Sequence, residues 1–196
     1  MRTGRRLRRT DFDLPAPELA KALLGRFLIR EIDGARLVGR IVETEAYTRD
    51  DPASHSYRGK TERNRVMFDR PGSLYVYFTY GMHHCMNVVS GPRNGGSAVL
   101  IRAVEPLAGL ETMQESRGTV EARLLCAGPA RLCQAFGIGR DDNGRDLVSD
   151  DTVRITDGEP IAREQIVATP RIGVSRGKNR GWRWMVKDDP WVSRKR

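Results

Sequence analysis

SLYVYFTYGMHHCMNVVS, Ser73 to Ser90, is the stretch that decides the fold class. Leu74, Val76 and Phe78 alternate with Tyr75, Tyr77 and Thr79, and this period of two reads as a strand with two unlike faces. Tyr80-Gly81-Met82 interrupts the pattern, and Cys85 to Val89 resumes it as an apolar strand. The whole reads as a β-hairpin. Its tip is unusual. An exposed turn normally carries Asn-Gly or Asp-Gly, not a tyrosine and a methionine.

Working outward, Arg26–Glu31 and Leu37–Glu43 read as two more strands, joined at Asp33-Gly34. Ala98–Val104 is a further apolar strand, and Arg183–Val186 could close the sheet. Asp13–Leu24 reads as a helix with prolines near its start, and Gly109–Ser116 and Pro129–Phe136 also look helical. Arg49–Asn64 reads as a long polar loop containing His55. Hairpins mixed with a few helices lack the βαβ rhythm of a parallel sheet. They favour a single mixed α+β domain built on antiparallel strands. Residues 11–196 form that domain, and residues 1–10, with five Arg and no acid, are expected to be a basic, mobile arm.

The chain has 196 residues, 34 Lys plus Arg against 25 Asp plus Glu, and a net charge of +9. That excess points toward a polyanion. Arginine supplies 29 of the basic residues, so an Arg-rich surface without a partner is the alternative. No apolar run approaches the ~20 residues that span a bilayer, so no membrane partner is expected. No signal-type apolar segment follows the basic N-terminus. Cys85, Cys126 and Cys133 suit neither a disulfide framework nor a zinc knuckle, and with three histidines no metal site is expected. Neither a Walker loop nor a dinucleotide-binding glycine motif is present.

Three features can carry chemistry. Glu43, Glu45 and Tyr47 lie two apart on a strand and so share a face. A carboxylate beside aromatic rings can activate water, or the face can be the solvated outside of an edge strand. All five tyrosines, Tyr47, Tyr57, Tyr75, Tyr77 and Tyr80, fall within 34 residues, and with all three histidines, His55, His83 and His84, the span is 38. Such rings can stack a flat base, more strongly if it is cationic, or they can form a polar-edged core. The hairpin tip can wedge into a DNA minor groove, or pack under a neighbouring loop. The basic tail with its tryptophans, and Arg63, Arg65 and Arg70, could reach phosphates.

The chain resembles the alkyladenine (3-methyladenine) DNA glycosylases of the monofunctional type found in bacteria and animals. The segments are GRIVETEAY (39–47), RNRVMF (63–68), PGSLYVYFTYGMHHCMNVV (71–89), VLIRAVEPLAGLE (99–111), CAGPARLCQA (126–135) and DDPWVS (188–193). They are collinear and cover most of the chain. The resemblance implies a curved, open-barrel-like sheet with flanking helices and a protruding hairpin. It implies catalytic roles for Glu45, the general base, and Arg102, which helps hold the catalytic centre and the DNA backbone. Tyr47, His55 and Tyr77 match the walls of a flipped-base pocket, the backbone around Ala53 and His55 the stretch that reads the base edge, and Asn87 the pocket floor. Tyr80 matches the wedge, followed by Met82 and His83. Arg63, Arg65, Arg131, Lys178 and Arg180 are candidate phosphate contacts.

The implied reaction flips an alkylated or deaminated purine out of double-stranded DNA and hydrolyses its N-glycosidic bond, without cofactor or metal. A monomer is expected, in the cytoplasm near the nucleoid if the chain is bacterial. The tract from Tyr47 to His55 is one residue shorter than in the animal enzymes, and His83 stands where a tyrosine is familiar. A non-catalytic nucleic-acid-binding domain and an O-glycoside hydrolase are the competing readings.

Overall fold

In a computed structural model, which describes residues 4–193, the strands form one curled antiparallel sheet. The elements are α1 (Arg9–Phe12), α2 (Ala16–Ala22), β1 (Phe27–Ile32), β2 (Ala35–Tyr47), β3 (Leu74–Thr79), β4 (His83–Ser90), β5 (Ser97–Ala108), α3 (Leu110–Arg117), α4 (Ala122–Leu125), α5 (Pro129–Ala135), β6 (Val153–Thr156), β7 (Ile166–Thr169) and β8 (Arg183–Val186). The strand order is β3-β4-β5-β2-β1-β6, with β8 on β2 and β7 on β8. The result is a half-barrel of mixed α+β class with helices against it.

The long strand β2 is the axis of the sheet. Its first half pairs with β1 through the Asp33-Gly34 turn, where both residues have positive φ, as a two-residue hairpin of type I′ requires. Farther along, Glu43–Glu45 pairs with β8 instead. The register with β5 slips at Val38/Gly39, at Ile41/Glu43 and at Glu43/Thr44. Bulges of this kind bend a strand and re-aim its side chains. Gly39 sits at the first slip because a Cβ there would lie 2.5 Å from Val104 Cγ2.

The main core lies between the sheet and the helices, with Leu19 and Leu23 from the α2 region, Ile41 from β2, Ile101 from β5, and Phe136 just after α5. A smaller cluster of Val66, Met67, Phe68, Tyr75, Val89 and Ala98 supports the lower part of the β3–β4 hairpin. Beyond it the hairpin projects. Tyr80 is 83% exposed and Met82 70% exposed, so the tip does not pack under a loop.

The N-terminal segment differs from a free arm. Residues 1–3 lie outside the described residues. After them, Arg6 bridges to Thr156 at the sheet edge, and its guanidinium donates to the carbonyls of Val148 and Asp150. Leu7 is buried, and Arg9 pairs with Asp146 at 2.5 Å. The physical reason is an unpaired edge beyond β6, whose backbone groups and acidic loop take up the segment. Two strands, β6 and β7, were not anticipated; at four residues each they are too short to show a periodicity. Leu7→Ala should lower unfolding free energy by about 2 kcal/mol or more, as for other buried leucines. A free arm would leave the urea midpoint unmoved.

Candidate active site

Glu43, Glu45 and Tyr47 do share one face of β2, while Thr44 on the other face donates Oγ1–H to the Ala20 carbonyl at 2.8 Å. The face is not solvated: Glu43 and Glu45 are both 0% exposed. Opposite them stand Arg102 of β5 and Arg183 of β8. Glu43 accepts from Arg102 Nε at 2.7 Å, Arg183 Nε at 2.6 Å, the Ser193 hydroxyl at 2.8 Å and the Ser193 backbone N–H at 2.7 Å. Three of these donors converge on Oε1 and one reaches Oε2.

Glu45 is bound differently. Its Oε1 accepts from the Ile172 N–H at 2.8 Å and lies 3.2 Å from Arg102 Nη1. Its Oε2 accepts from the Tyr47 hydroxyl at 2.8 Å. Three donors thus reach a carboxylate that can accept about four. Buried carboxylates are costly unless paired, and here two carboxylates meet two guanidiniums. Arg102 is held above its ordinary pKa: burial opposes its charge, but Glu45 and then Glu43 outweigh burial. Tyr47 is pushed far up, by burial first and Glu45 second, so its phenol stays a donor. Tyr77 is raised likewise, chiefly by burial, and Tyr75 is pushed up to about 12.

A cavity of about 290 Å³ opens beside Tyr47. Its lining gathers all five candidate pocket residues, Tyr47, Ala53, His55, Tyr77 and Asn87, together with Arg63, Tyr75 and Tyr80. His55 and Tyr77 meet edge to face with centroids 4.5 Å apart, and His55 Nδ1 is 3.0 Å from the Tyr75 hydroxyl. Buried Asn87 donates Nδ2–H to the Tyr75 carbonyl at 3.1 Å, which fixes its amide. Tyr80, at the cavity rim, has φ +52°, a left-handed backbone that bulky residues seldom adopt.

The other candidates scatter. His83, Arg102 and Arg131 line a second, larger cavity of about 750 Å³ with Arg117, Arg123 and the acid Glu121. Arg65 is exposed, 3.9 Å from Glu62. Lys178 is exposed, and Arg180 lies over the Trp182 ring at 4.3 Å. Met82 stands at the tip, outside both linings. Among the described residues, no three His, Cys, Asp or Glu side chains converge as metal ligands.

The sequence reading missed the loop after β7. Ile172 supplies a backbone donor to Glu45, and Gly173, Val174 and Ser175 line the cavity. It also missed Arg171, which forms a buried ion pair with Asp51 and lies 4.7 Å over the Tyr47 ring. In the sequence Arg171 is one more cation in a basic tail. Ser193 had a signal in the DDPWVS segment, but nothing there pointed to Glu43.

Burial first, and the Arg63 charge second, lower the His55 pKa below its ordinary 6.5. The folded ring is therefore neutral at pH 7. As pH falls below 6.5 the unfolded chain binds a proton that the folded protein resists, so stability falls until the lowered pKa is passed. His55→Gln should lose less stability than the unaltered protein between pH 7 and pH 5, measured by urea denaturation. Equal losses would refute the shift.

The comparisons with known proteins agree with one another. The sequence profile of the family described as Methylpurine-DNA glycosylase (MPG) matches residues 10–190. A protein of Carboxydothermus hydrogenoformans is 51% identical over 177 residues, 90% of this chain and 93% of the relative. One of Chlorobium phaeovibrioides is 47% identical over 190 residues, 96% of each chain. One of Francisella tularensis is 46% identical over 180 residues, 91% of this chain and 93% of the relative. All three carry the name "Putative 3-methyladenine DNA glycosylase". With the aromatic cavity, the buried carboxylate beside it and the matched length, this chain belongs to the methylpurine-DNA glycosylase family.

Proposed function

We propose that the protein flips alkylated or deaminated purines out of duplex DNA and hydrolyses their N-glycosidic bond with a water activated by Glu45. The lesions are of the 3-methyladenine, 7-methylguanine, ethenoadenine and hypoxanthine class, and the product is an abasic site. The carrying observation is a fully buried carboxylate, hydrogen-bonded to the tyrosine that lines the aromatic cavity.

A base inside the duplex is out of reach, so it must be extruded at a cost of a few kcal/mol, less for a damaged base. Tyr80 supports the extruded state by filling the vacated space. The cavity walls Tyr47, His55 and Tyr77 then hold the base. Water attacks the anomeric carbon, and its proton passes to Glu45. The bond to the base nitrogen breaks, and its electron pair leaves with the base. A purine alkylated at N3 or N7 is already cationic, so it departs neutral and needs no acid; neutral hypoxanthine or ethenoadenine leaves with the electron pair and takes up a proton from solvent water. Arg102 holds Glu45 in place and lines the larger cavity, where it can meet a backbone phosphate.

Lyase chemistry needs an amine nucleophile. None of the residues lining the base cavity is a lysine, which supports a monofunctional enzyme. An O-glycosidase would need a second carboxylate as proton donor. Glu43 is unsuited to that, because it is ion-paired with both Arg102 and Arg183. A non-catalytic binding domain would have no need of a desolvated Glu45. The protein acts as a monomer on DNA, cytoplasmic and close to the nucleoid in a bacterial cell.

Duplexes carrying ethenoadenine or hypoxanthine, incubated with protein and then treated with alkali, should be cut at the lesion; no cutting across several alkylated lesions would overturn the proposal. Glu45→Gln should slow excision about a hundredfold or more, the range of a lost general base, with DNA affinity largely kept. Tyr80→Asn should raise stability or leave it unchanged, since asparagine tolerates the left-handed backbone. It should nonetheless weaken capture of the extruded lesion, read as slower single-turnover excision. Unchanged excision would remove the wedge role.

A further inference from the structure

Arg171 is a buried cation beside the base cavity that the proposed reaction does not use. Its guanidinium lies 4.7 Å from the centroid of the Tyr47 ring and 5.6 Å from that of Trp182, between the two. It donates to the Ala46 carbonyl at 2.9 Å and to Asp51 Oδ1 at 3.0 Å. Both side chains of the ion pair are wholly buried. Tyr47 lines the cavity and Arg171 does not.

Tyr47 is therefore acted on by two groups. Its hydroxyl donates to the Glu45 carboxylate, which pushes electron density into the ring. A cation over the ring draws on the same π density. A ring already engaged by one cation attracts a second less, while its stacking with a neutral base is little affected. Asp51 makes the pair neutral as a whole, but the guanidinium is the member lying over the ring.

We infer that Arg171, clamped by Asp51 beside Tyr47, is a specificity-setting residue that weakens the pocket's hold on cationic purines and so tilts the enzyme toward neutral ones. The inference rests on the proposed base-excision function. Arg171 acts through Tyr47 and is a positioning residue, not a catalytic one. The same clamp fixes the two loops that line the cavity. Asp51 Oδ1 accepts from the Ala53 N–H at 3.1 Å, and Arg171 Nη2 donates to the Gly177 carbonyl at 3.4 Å.

The test is a ratio within one preparation: single-turnover excision of cationic 7-methylguanine divided by that of neutral hypoxanthine, in the same duplex sequence. A loss of folded protein lowers both rates alike and leaves the ratio unmoved. Two variants push in opposite directions. The double variant Arg171→Met, Asp51→Asn removes the cation without leaving a buried charge, and should raise the ratio by roughly three- to tenfold, the scale of a cation–π interaction. Asp51→Asn alone leaves the guanidinium uncompensated and should lower the ratio. Ratios that stay put, or move the same way in both variants, would overturn the inference. Failure of the unaltered protein to excise either lesion would overturn the proposed function and this inference together. Excision with an unmoved ratio would overturn the inference alone.

Discussion

The neutralisation of two buried carboxylates is the constraint on which the site depends. Glu43 and Glu45 sit side by side on β2 with no exposure to solvent. An unpaired buried charge costs several kcal/mol, comparable to much of a domain's net stability. Arg102 must therefore reach across from β5, and Arg183 from β8, for the sheet to close here at all. The two guanidiniums balance the two carboxylates, and Ser193 completes the shell with its hydroxyl and backbone N–H. The bulges in β2 follow from the same need, since they aim Glu43 and Glu45 at donors that come from different strands.

The two carboxylates diverge because their donors differ in number and kind. Glu43 is reached by Arg102, Arg183 and the C-terminal segment, and it orients Arg102. Glu45 has Arg102 and two further partners, which come from groups next to the cavity. One is the Tyr47 hydroxyl and the other is the Ile172 N–H. Hydrogen bonds held rigid in a dry site need no reorganisation when charge develops, and such preorganised electrostatics is the larger part of many catalytic effects. The scaffold is rigid at Glu45 and strained at Tyr80, whose left-handed backbone holds an aromatic ring out into solvent. Strain kept at an exposed tip is stable only because the paired strands on either side determine it.

Local features of this fold were legible in the sequence. The alternation through Ser73–Ser90, the Asp33-Gly34 turn and the proline-marked start of α2 each act within a few residues, and each matches the structure. So does the shared face of Glu43, Glu45 and Tyr47. What the sequence left open was whether that face meets water. Burial is decided by β8 and by Ser193, 150 residues from Glu43 along the chain. Arg171 was hidden for the same reason: its partner Asp51 is 120 residues away, and an arginine among arginines has no pattern of its own. The N-terminal segment was misread because its charge suggested solvent. Its partners are carbonyls and an acid at the far edge of the sheet.

That last point changes what the +9 charge means. Many arginines are occupied within the protein. Arg30 pairs with Asp142, Arg40 with Glu105 and Asp189, Arg26 with Asp157, and Arg154 with Glu31. These pairs staple strands and loops together and contribute little to an outward field. The cations that matter for a polyanion are those gathered without matching acids. Arg117, Arg123 and Arg131 line the larger cavity against the single carboxylate of Glu121, together with His83 of the hairpin. Arg102 belongs to this cavity and also touches Glu45. A phosphate drawn to the cavity would therefore meet the same guanidinium that pairs with Glu45. Net charge alone could not have located that coupling. It follows from where the acids are missing.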